Sequence, residues 1–384
     1  MHHHPSGNKQ LPSSRNNLNP HIFFTVTNDL SLDQRMIRIC TSVSKMGYQV
    51  TLVGRKIKNS RSLVPRNFNQ KRLRCLFTSG KAFYVEYNIR LFFFLLSRRM
   101  EAVCAIDLDT ILPCYLVSRI KNIKRIYDAH ELFCEMKEIV TRPSIYAVWK
   151  KLESFAVPQF TYGYTVSAEI SKEFTSMYNV EYPVIANMPV FRPLVIPLKE
   201  TKYILYQGSV NEGRSFETLI PAMKGVNIPL IVCGDGNFME SARELVKLHR
   251  LEDKVIFKGK IEPDSLREIT RNAWIGVTLF ENKGLSNYFS LANRFFDYIH
   301  AGIPQLCIDF PSYREINNQY EVALLIKNTN SDLIIEGFNA LLNNEELYKR
   351  LQENCLNARK VYNWESEELK LSDIYEQVFN TESK

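Results

Sequence analysis

The stretch from Tyr288 to Pro304, YFSLANRFFDYIHAGIP, constrains the fold more than any other part of the chain. Its apolar residues recur at helical spacing, and Gly302 followed by Pro304 is a helix-ending pattern, so the stretch predicts one amphipathic helix. The apolar runs on either side of it, at 275–280 and 305–308, are typical of buried parallel strands. Asp297 stands inside this helix between apolar neighbours, a position that is unfavourable for an aspartate unless its carboxylate is used.

The alternation of strand and helix continues along the rest of the chain and restarts after a segment with three prolines at 188–197. It predicts an α/β protein of two facing, doubly wound, Rossmann-like domains with a central cleft. We expect the domains at 21–195 and 196–362, with a C-terminal helix at about 363–380 packing back on the first. Predicted strands are 21–27, 49–53, 102–106, 125–127, 161–167, 184–187, 203–208, 229–234, 254–259, 275–280, 305–308 and 323–326.

Several classes of function are disfavoured by simple features. The first loop, 28–35, lacks the Gly-x-Gly-x-x-Gly of dinucleotide-binding domains. No apolar run approaches the ~20 residues that span a bilayer, and residues 1–20 are polar, so we expect a disordered N-terminal segment without a signal peptide. The eight cysteines form no Cys-x-x-Cys pair, which favours reduced, buried thiols.

Charge is distributed unevenly along the chain. The net charge is +8, but residues 1–195 carry +13 and the remainder −5. Much of the excess lies in a predicted basic surface loop at 56–74 and around a predicted helix at 84–100. A basic first half indicates an anionic partner, either a membrane surface or nucleic acid. Nucleic acid is disfavoured because the basic residues show no interleaved aromatic signature.

An ordered set of short motifs resembles the retaining glycosyltransferases of family 4, also called glycosyltransferase group 1, which have the GT-B fold. The resemblance extends from Phe23 to about Phe379, and two of its motifs look like a bacterial subgroup acting on cell-surface glycans. The motifs are Asp33-Gln-Arg35, Asp107 to Pro113, Tyr127 to Leu132, Thr165-Val-Ser167, Ile185-Ala-Asn187, Tyr206-Gln-Gly208, Gly213-Arg214, Gly234-Asp-Gly236 and Ala301-Gly-x-Pro304.

The resemblance implies roles for particular residues. Asp297 would hold the ribose hydroxyls of a nucleotide sugar, and Arg214 would meet the diphosphate as it leaves. His130 would lie near the donor sugar. The remaining donor-binding candidates are Gly208, Ser209, Gly213, Gly234, Gly236, Asn293 and the N–H groups of Ser290 and Leu291. Asp33 and Arg35 are candidates for the acceptor or the first loop.

The sequence departs from the family pattern at two positions. Phe289 stands where the family's usual motif has its first glutamate, and Ser209 stands where an arginine is usual. These departures leave open a catalytically silent, nucleotide-binding GT-B subunit, and a GT-B nucleotide-sugar epimerase or phosphorylase is a further alternative.

No metal or other cofactor is expected. The Asp107-x-Asp109 pair could hold a divalent metal or, for Asp109, cap the following helix, and we favour a role other than metal binding. The acceptor implied by the resemblance is a lipid-linked or cell-surface saccharide. Together with the basic first half, this predicts a cytoplasmic enzyme lying peripherally on the inner face of the cell membrane.

Overall fold

The computed structural model describes residues 19–31, 33–58, 60–194, 196–197 and 201–380. The predicted disorder at 1–20 therefore falls, apart from Asn19 and Pro20, outside the described residues. The first domain contains strands β1 (His21–Thr25), β2 (Gln49–Lys56), β3 (Asn69–Arg74), β4 (Ala102–Ile106), β5 (Lys124–Ala129) and β6 (Tyr162–Thr165). Its helices are α1 (Gln34–Lys45), α2 (Gly80–Leu96), α3 (Ile111–Lys121), α4 (Lys137–Val140), α5 (Pro143–Ala156) and α6 (Ala168–Tyr178).

The second domain repeats the pattern. Its strands are β7 (Ile204–Gln207), β8 (Leu230–Cys233), β9 (Val255–Gly259), β10 (Ile275–Thr278), β11 (Gln305–Ile308) and β12 (Ala323–Ile326). Its helices, followed by the C-terminal helix, are α7 (Phe216–Ala222), α8 (Met239–His249), α9 (Pro263–Asn272), α10 (Leu285–Tyr288), α11 (Asn293–Ala301), α12 (Pro311–Tyr320), α13 (Ser331–Asn343), α14 (Glu345–Ala358) and α15 (Trp364–Asn380).

Each domain is built on a six-stranded parallel sheet. The strand orders are β3-β2-β1-β4-β5-β6 and β12-β11-β10-β7-β8-β9. In both, the first strand lies in the middle and the chain winds outward in each direction, which confirms the α/β class and the two doubly wound domains. Short apolar strands buried on both faces are what such a parallel sheet requires.

Two strand predictions were wrong. The basic segment 56–74, predicted as a surface loop, contains β3, which pairs with β2 from Asn69 to Arg74. It was missed because all of its side chains except Leu73 are polar or basic, as an exposed edge strand allows. Conversely, the predicted strand at 184–187 is only an isolated bridge between Thr165 and Val184.

The predicted helix over 288–304 was wrong in its first part. α10 ends at Tyr288, and α11 begins at Asn293 after the extended residue Ala292. The chain turns between them because Ser290 donates through its N–H and its hydroxyl to Asn287 O, and Ala292 N–H donates to Tyr313 Oη at 3.0 Å. From Asn293 onward the prediction holds, and Gly302 ends the helix in the left-handed conformation.

Helix α15 lies against the first domain although it follows the second in sequence. Leu371, Ile374 and Tyr375 belong to the core that contains β1 and α1. Trp364 Nε1 donates to Ser42 Oγ of α1 at 3.0 Å.

The structure also bears on the cysteines and on the apolar helices. All eight cysteines are free, and every one except Cys75 is buried. Within the described residues, no helix has the length and apolarity that crossing a membrane requires.

Candidate functional site

The cleft lies where the carboxyl ends of the two sheets face each other. In the second domain, Gly208 follows β7, Gly234 follows β8 and Phe280 follows β10. In the first, His130 follows β5, and the segment after β6 reaches across the cleft, since Ser167 Oγ donates to Phe289 O at 3.1 Å. Carboxyl ends of parallel strands at a topological switch point are the usual ligand position in such sheets.

The glycine loops after β7 and β8 are packed against each other. A Cβ at Gly234 would lie 1.7 Å from Gly208 O, and Gly234 has φ +153°. A Cβ at Gly236 would lie 2.2 Å from Asn211 Oδ1. The close contact between the two loops therefore requires glycine at both positions. This structural requirement holds whether or not a phosphate also approaches them.

Arg214 is half-buried and lies beside a second cation, Arg294, that the sequence analysis missed. The guanidinium carbons of Arg214 and Arg294 lie 4.4 and 4.7 Å from the ring centre of Phe280. Among the described residues, Arg214 Nη1 donates one hydrogen bond, to Asn287 Oδ1 at 3.3 Å. Burial and the neighbouring charge of Arg294 lower the pKa of Arg214.

Arg294 is held by neutral oxygens. Its Nη1 donates to Tyr206 Oη at 3.2 Å and its Nη2 to Leu279 O at 3.4 Å. Among the described residues, no carboxylate forms an ion pair with Arg214 or Arg294. A Cβ at Gly208 would lie 3.2 Å from Arg294 Nη1, so the glycine leaves this guanidinium accessible from the loop. A buried and a half-buried guanidinium, neither of them ion-paired with a carboxylate among the described residues, make a site for an anion.

Asp297 is held by a chain of hydrogen bonds. Gln207 Nε2 donates to Asp297 Oδ2 at 2.7 Å, and Thr270 Oγ1 donates to Gln207 Oε1 at 2.6 Å. Because an ionised carboxylate can only accept, it is the NH2 end of the Gln207 amide that faces Asp297. Burial raises the pKa of Asp297 to about 6, although Arg38 and the bond from Gln207 act to lower it.

Asp297 lines a cavity of about 800 Å³ that extends between the domains. Arg38 of α1 lies in its wall and donates to Asn187 Oδ1, while Asn187 Nδ2 donates to Asn293 Oδ1 at 2.7 Å. The predicted donor residues Asn293 and Asp297 line this cavity, as do Gln207 and Arg267. Arg214, Ser290 and His130 lie outside its lining.

His130 contacts a carboxylate through each ring nitrogen. Its Nδ1 lies 3.3 Å from Asp107 Oδ2, and its Nε2 lies 3.1 Å from Asp128 Oδ2 at an angle too poor for a hydrogen bond. Burial acts to lower the pKa of His130, but Asp107 and Asp128 raise it to about 10. The ring is therefore an imidazolium at neutral pH and cannot accept a proton there.

The first-loop candidates have structural partners. Asp33 caps α1 by accepting from Met36 N. Arg35 is buried and donates to Asp128 Oδ1 at 2.8 Å and to Ile185 O at 3.0 Å. Burial acts to raise the pKa of Asp128, but Arg35 and His130 keep it below its ordinary value. Contact of Asp33 or Arg35 with an acceptor stays a prediction.

Asp109 does not cap the following helix, which was one of the two alternatives for the Asp107-x-Asp109 pair. α3 begins after Thr110, and the Asp109 carboxylate accepts from Thr27 Oγ1. Burial and the nearby Asp107 raise the pKa of Asp109 to about 7. Among the residues that the structure describes, no group of three or more His, Cys, Asp or Glu side chains is arranged to hold a metal ion.

The segment between α10 and α11 joins the two domains. Phe289 packs on the first-domain core, and its carbonyl accepts from Ser167 and, at 3.4 Å, from Ser312 Oγ. Ser290 N–H is already bonded to Asn287 O, so it does not point freely into the cleft as predicted. Leu291 packs against the second-domain core. Ser209 is exposed after β7, with its carbonyl accepting from Tyr206 Oη at 2.6 Å, and Gly213 O accepts from Glu281 N at 2.9 Å.

The geometry can be compared with known proteins. Residues 195–358 match the family model of glycosyl transferases group 1. This match covers the second domain, including Gly208, Arg214 and Asp297. No curated protein matches the sequence significantly.

Solved structures agree with this chain over both domains. Sucrose-phosphate synthase from Thermosynechococcus elongatus is 14% identical, with 95% of this chain and 100% of that one covered at a TM-score of 0.76. HepE from Anabaena, solved with UDP-glucose, is 10% identical, with 94% and 100% covered at 0.75. WaaG, a glycosyltransferase involved in lipopolysaccharide biosynthesis, is 14% identical, with 92% and 99% covered at 0.69. These likenesses show that the fold is GT-B.

Three site residues were missed from sequence: Arg38, Gln207 and Arg294. Arg294 could have been found, because an arginine among Phe295, Phe296 and Tyr298 is as anomalous in that helix as Asp297. Gln207 and Arg38 gave no such signal, since a glutamine at a strand end and an arginine on a surface helix are ordinary.

Proposed function

We propose that this protein is a glycosyltransferase that moves a sugar from a nucleotide-sugar donor to a saccharide acceptor. The observation that carries the proposal is a pair of guanidiniums beside the glycine loops, the half-buried Arg214 and the buried Arg294. Neither forms an ion pair with a carboxylate among the described residues. A leaving nucleoside diphosphate gains negative charge as its bond to the sugar breaks, and preset cations stabilise that charge. The match of the second domain to glycosyl transferases group 1 supports the same assignment.

The donor would lie along the second domain. Its diphosphate would face Arg214 and Arg294, and its ribose hydroxyls would donate to Asp297, which Gln207 orients. HepE, solved with UDP-glucose, supports a nucleotide sugar as the donor class. We further propose that the transfer needs neither a metal ion nor another cofactor.

Proton transfer in this scheme cannot use His130 as a base, because both ring nitrogens face carboxylates and the ring is already protonated. The acceptor hydroxyl oxygen bonds to the anomeric carbon as the bond to the diphosphate oxygen breaks. The electron pair of the broken bond stays with the diphosphate, which is then the nearest group able to take the hydroxyl proton. His130 would serve as a fixed positive charge and hydrogen-bond donor beside the sugar.

The finer parts of the proposal follow the sequence resemblance. Transfer would retain the anomeric configuration, and the acceptor would be a lipid-linked or cell-surface saccharide bound by the first domain. The enzyme would meet it at the inner face of the membrane. Solved neighbours that act in lipopolysaccharide biosynthesis support this acceptor class.

A thermal-shift panel of UDP-, GDP-, TDP- and CMP-sugars tests the donor, with the Asp297→Ala variant as the control. We expect one nucleotide class to stabilise the wild type and not the variant. NMR of the product of transfer, or of slow hydrolysis, then gives its anomeric configuration. An inverted product would contradict retention, and stabilisation by no nucleotide sugar would contradict the function.

One observation favours the second candidate, a silent nucleotide-binding subunit. Phe289 occupies the position of the family's usual first glutamate and packs into the first-domain core. Such a subunit would bind nucleotide with the same dependence on Asp297 but would neither transfer nor hydrolyse the donor. Turnover of the bound nucleotide sugar, however slow, excludes it.

A further inference from the structure

One face of the first domain exposes an unusual amount of apolar surface. Helices α2, α3 and α5 lie side by side over one side of the first sheet. Their contact is visible in ring pairs: Tyr84 of α2 and Trp149 of α5 lie 5.8 Å apart, and Tyr115 of α3 and Phe155 of α5 lie 5.4 Å apart. We call the outward surface of these three helices the outer helical face.

Each helix contributes large apolar side chains to this face. On α2 the stripe is Val85, Ile89 and Phe93, and Phe93 is 63% exposed. On α3 it is Leu112, Leu116 and Ile120, and α5 adds Val148 and Phe155, with Val148 69% exposed. The spacing of four within α2 and α3 keeps each stripe on one side of its helix.

This pattern is the reverse of what a helix covering a sheet normally shows. α2 buries Phe83, Tyr87, Leu91 and Leu95 toward the sheet, so packing on the sheet does not need its outer apolar residues. A helix that is apolar on all sides is usually buried on all sides. Contiguous exposed apolar surface on a globular domain marks an interaction site.

The charges around the outer helical face are almost all basic. Lys81, Arg90, Arg119 and Lys151 lie on the three helices, and Arg98 and Arg99 follow α2; all six are exposed. The helices carry two acidic residues, and the carboxylates of both accept hydrogen bonds from neighbouring groups. Glu86 accepts from Arg90 and from the N–H groups of Leu76 and Phe77, and Glu153 is buried and bonded to Lys150 and Tyr178.

We propose that the outer helical face docks on an anionic lipid bilayer, with its apolar stripes inserted shallowly and its basic residues at the headgroups. An apolar stripe bordered by Lys and Arg matches the two parts of such an interface, the acyl boundary and the negative surface. The assignment deepens the proposed function, on which it rests, because a lipid-linked acceptor is met at a bilayer.

One basic residue of the predicted surface loop is not available to a lipid surface. Arg72, in the basic segment 56–74, is internally paired, with its Nη2 donating to Asp29 Oδ1 at 2.8 Å. It is nearly buried and contributes to the fold instead of to a lipid surface. A test aimed at Arg72 would therefore disturb the domain instead of testing a lipid contact.

Flotation with vesicles tests the proposal, using phosphatidylcholine alone and phosphatidylcholine containing one quarter phosphatidylglycerol. We compare the wild type with the Ile89→Ser/Phe93→Ser and Leu116→Ser/Ile120→Ser variants. The matched control is Leu248→Ser/Leu369→Ser, which removes from α8 and α15 two apolar side chains that are more exposed than the four tested ones. Nucleotide-induced thermal shift is measured for every variant as a readout of the second domain.

We expect the wild type to float with anionic vesicles at low salt and to be released by high salt. Each Ser pair on the outer helical face should weaken partitioning at least tenfold, and the control pair should not. Arg98→Glu/Arg99→Glu should weaken it about thirtyfold or more, from ~1 kcal/mol per basic residue. Its matched control, Lys224→Glu/Lys247→Glu on the second domain, should bind as the wild type does.

Failure of the wild type to bind anionic vesicles at low salt, with the nucleotide shift intact, overturns the docking surface and leaves the proposed function standing. Equal losses in the control pairs also overturn it. Light scattering that shows a dimer which the Ser pairs dissociate would assign the face to a second copy of the chain instead. Loss of the nucleotide response in the wild type itself would count against the proposed function.

Discussion

Arg214 and Arg294 share one aromatic neighbour, with their guanidinium carbons 4.4 and 4.7 Å from the ring centre of Phe280. Two like charges held against one ring, one of them buried and the other half-buried, repel each other, and the ring face offsets only part of that repulsion. An anion between them would relieve it. The arrangement is therefore strained without ligand and suited to a group whose negative charge grows during reaction.

Arg214→Ala should lower kcat more than it raises the donor KM. The charge that Arg214 meets is larger in the transition state than in the bound donor, so the lost interaction is mainly a transition-state one. By analogy with other preset donors, we expect a loss of about a hundredfold to a thousandfold in kcat. Arg214→Lys, which keeps the charge, should recover part of the rate. An effect confined to KM would remove the leaving-group role.

Asp297→Asn should weaken nucleotide binding and abolish its dependence on pH. A carboxylate accepts from two ribose hydroxyls best when ionised, and hydrogen bonds to a charged group contribute ~1.5–3 kcal/mol each, or roughly tenfold to a hundredfold in Kd. Because the pKa of Asp297 is about 6, wild-type affinity should fall as pH drops below that value. Calorimetry between pH 5 and pH 8 measures this, and the same pH dependence in the variant would contradict the assignment.

His130 should stabilise the first domain in a pH window set by its raised pKa. The stabilisation is fully present below the ordinary histidine value of about 6.5 and is lost as pH rises through about 10. Urea unfolding of the wild type and of His130→Asn at pH 6 and pH 10 should therefore differ more at pH 6, by roughly 2 kcal/mol. An equal difference at both pH values would mean that His130 is neutral in the native protein.

Gly234→Ala should destabilise the second domain by roughly 1–3 kcal/mol, because its Cβ would meet Gly208 O and its φ of +153° is unfavourable for alanine. Gly259→Ala is the matched control, since Gly259 also has a positive φ, +66°, but open space around its Cβ. The melting temperature of the first variant should fall further than that of the second. Equal effects would show that backbone conformation, and not the contact with the β7 loop, requires the glycine.

The alternation of apolar runs and helical patterns was enough to predict the fold, because each parallel strand buried on both faces leaves a clear apolar signature. β3 was not predicted because its edge position lets all of its side chains except Leu73 be polar. The break between the helices at 289–292 was not predicted, because it depends on the hydroxyl of Tyr313, more than twenty residues away along the chain. No local sequence pattern indicates such a contact.

The site was predictable to the extent that its residues were anomalous in their local setting. Asp297 stood out in an apolar helix, whereas Gln207, which orients it, looked like any strand-end residue. The contact of both ring nitrogens of His130 with carboxylates could not be predicted, because it forms only when β4 and β5 pair and bring Asp107 and Asp128 together. Pairing of strands from separate parts of the chain thus decides which polar groups face the cleft and which face each other.

The central claim is that Arg214 and Arg294 form the diphosphate site of a nucleotide-sugar enzyme. Calorimetric titration of the wild type and of Arg294→Met with the nucleoside diphosphate and the nucleoside of the stabilising donor tests it most directly. We predict that the variant weakens diphosphate binding tenfold to a hundredfold, from ~1.5–3 kcal/mol for a charged hydrogen bond, and leaves nucleoside binding unchanged. Equal affinity of the folded variant and the wild type for the diphosphate would contradict the account.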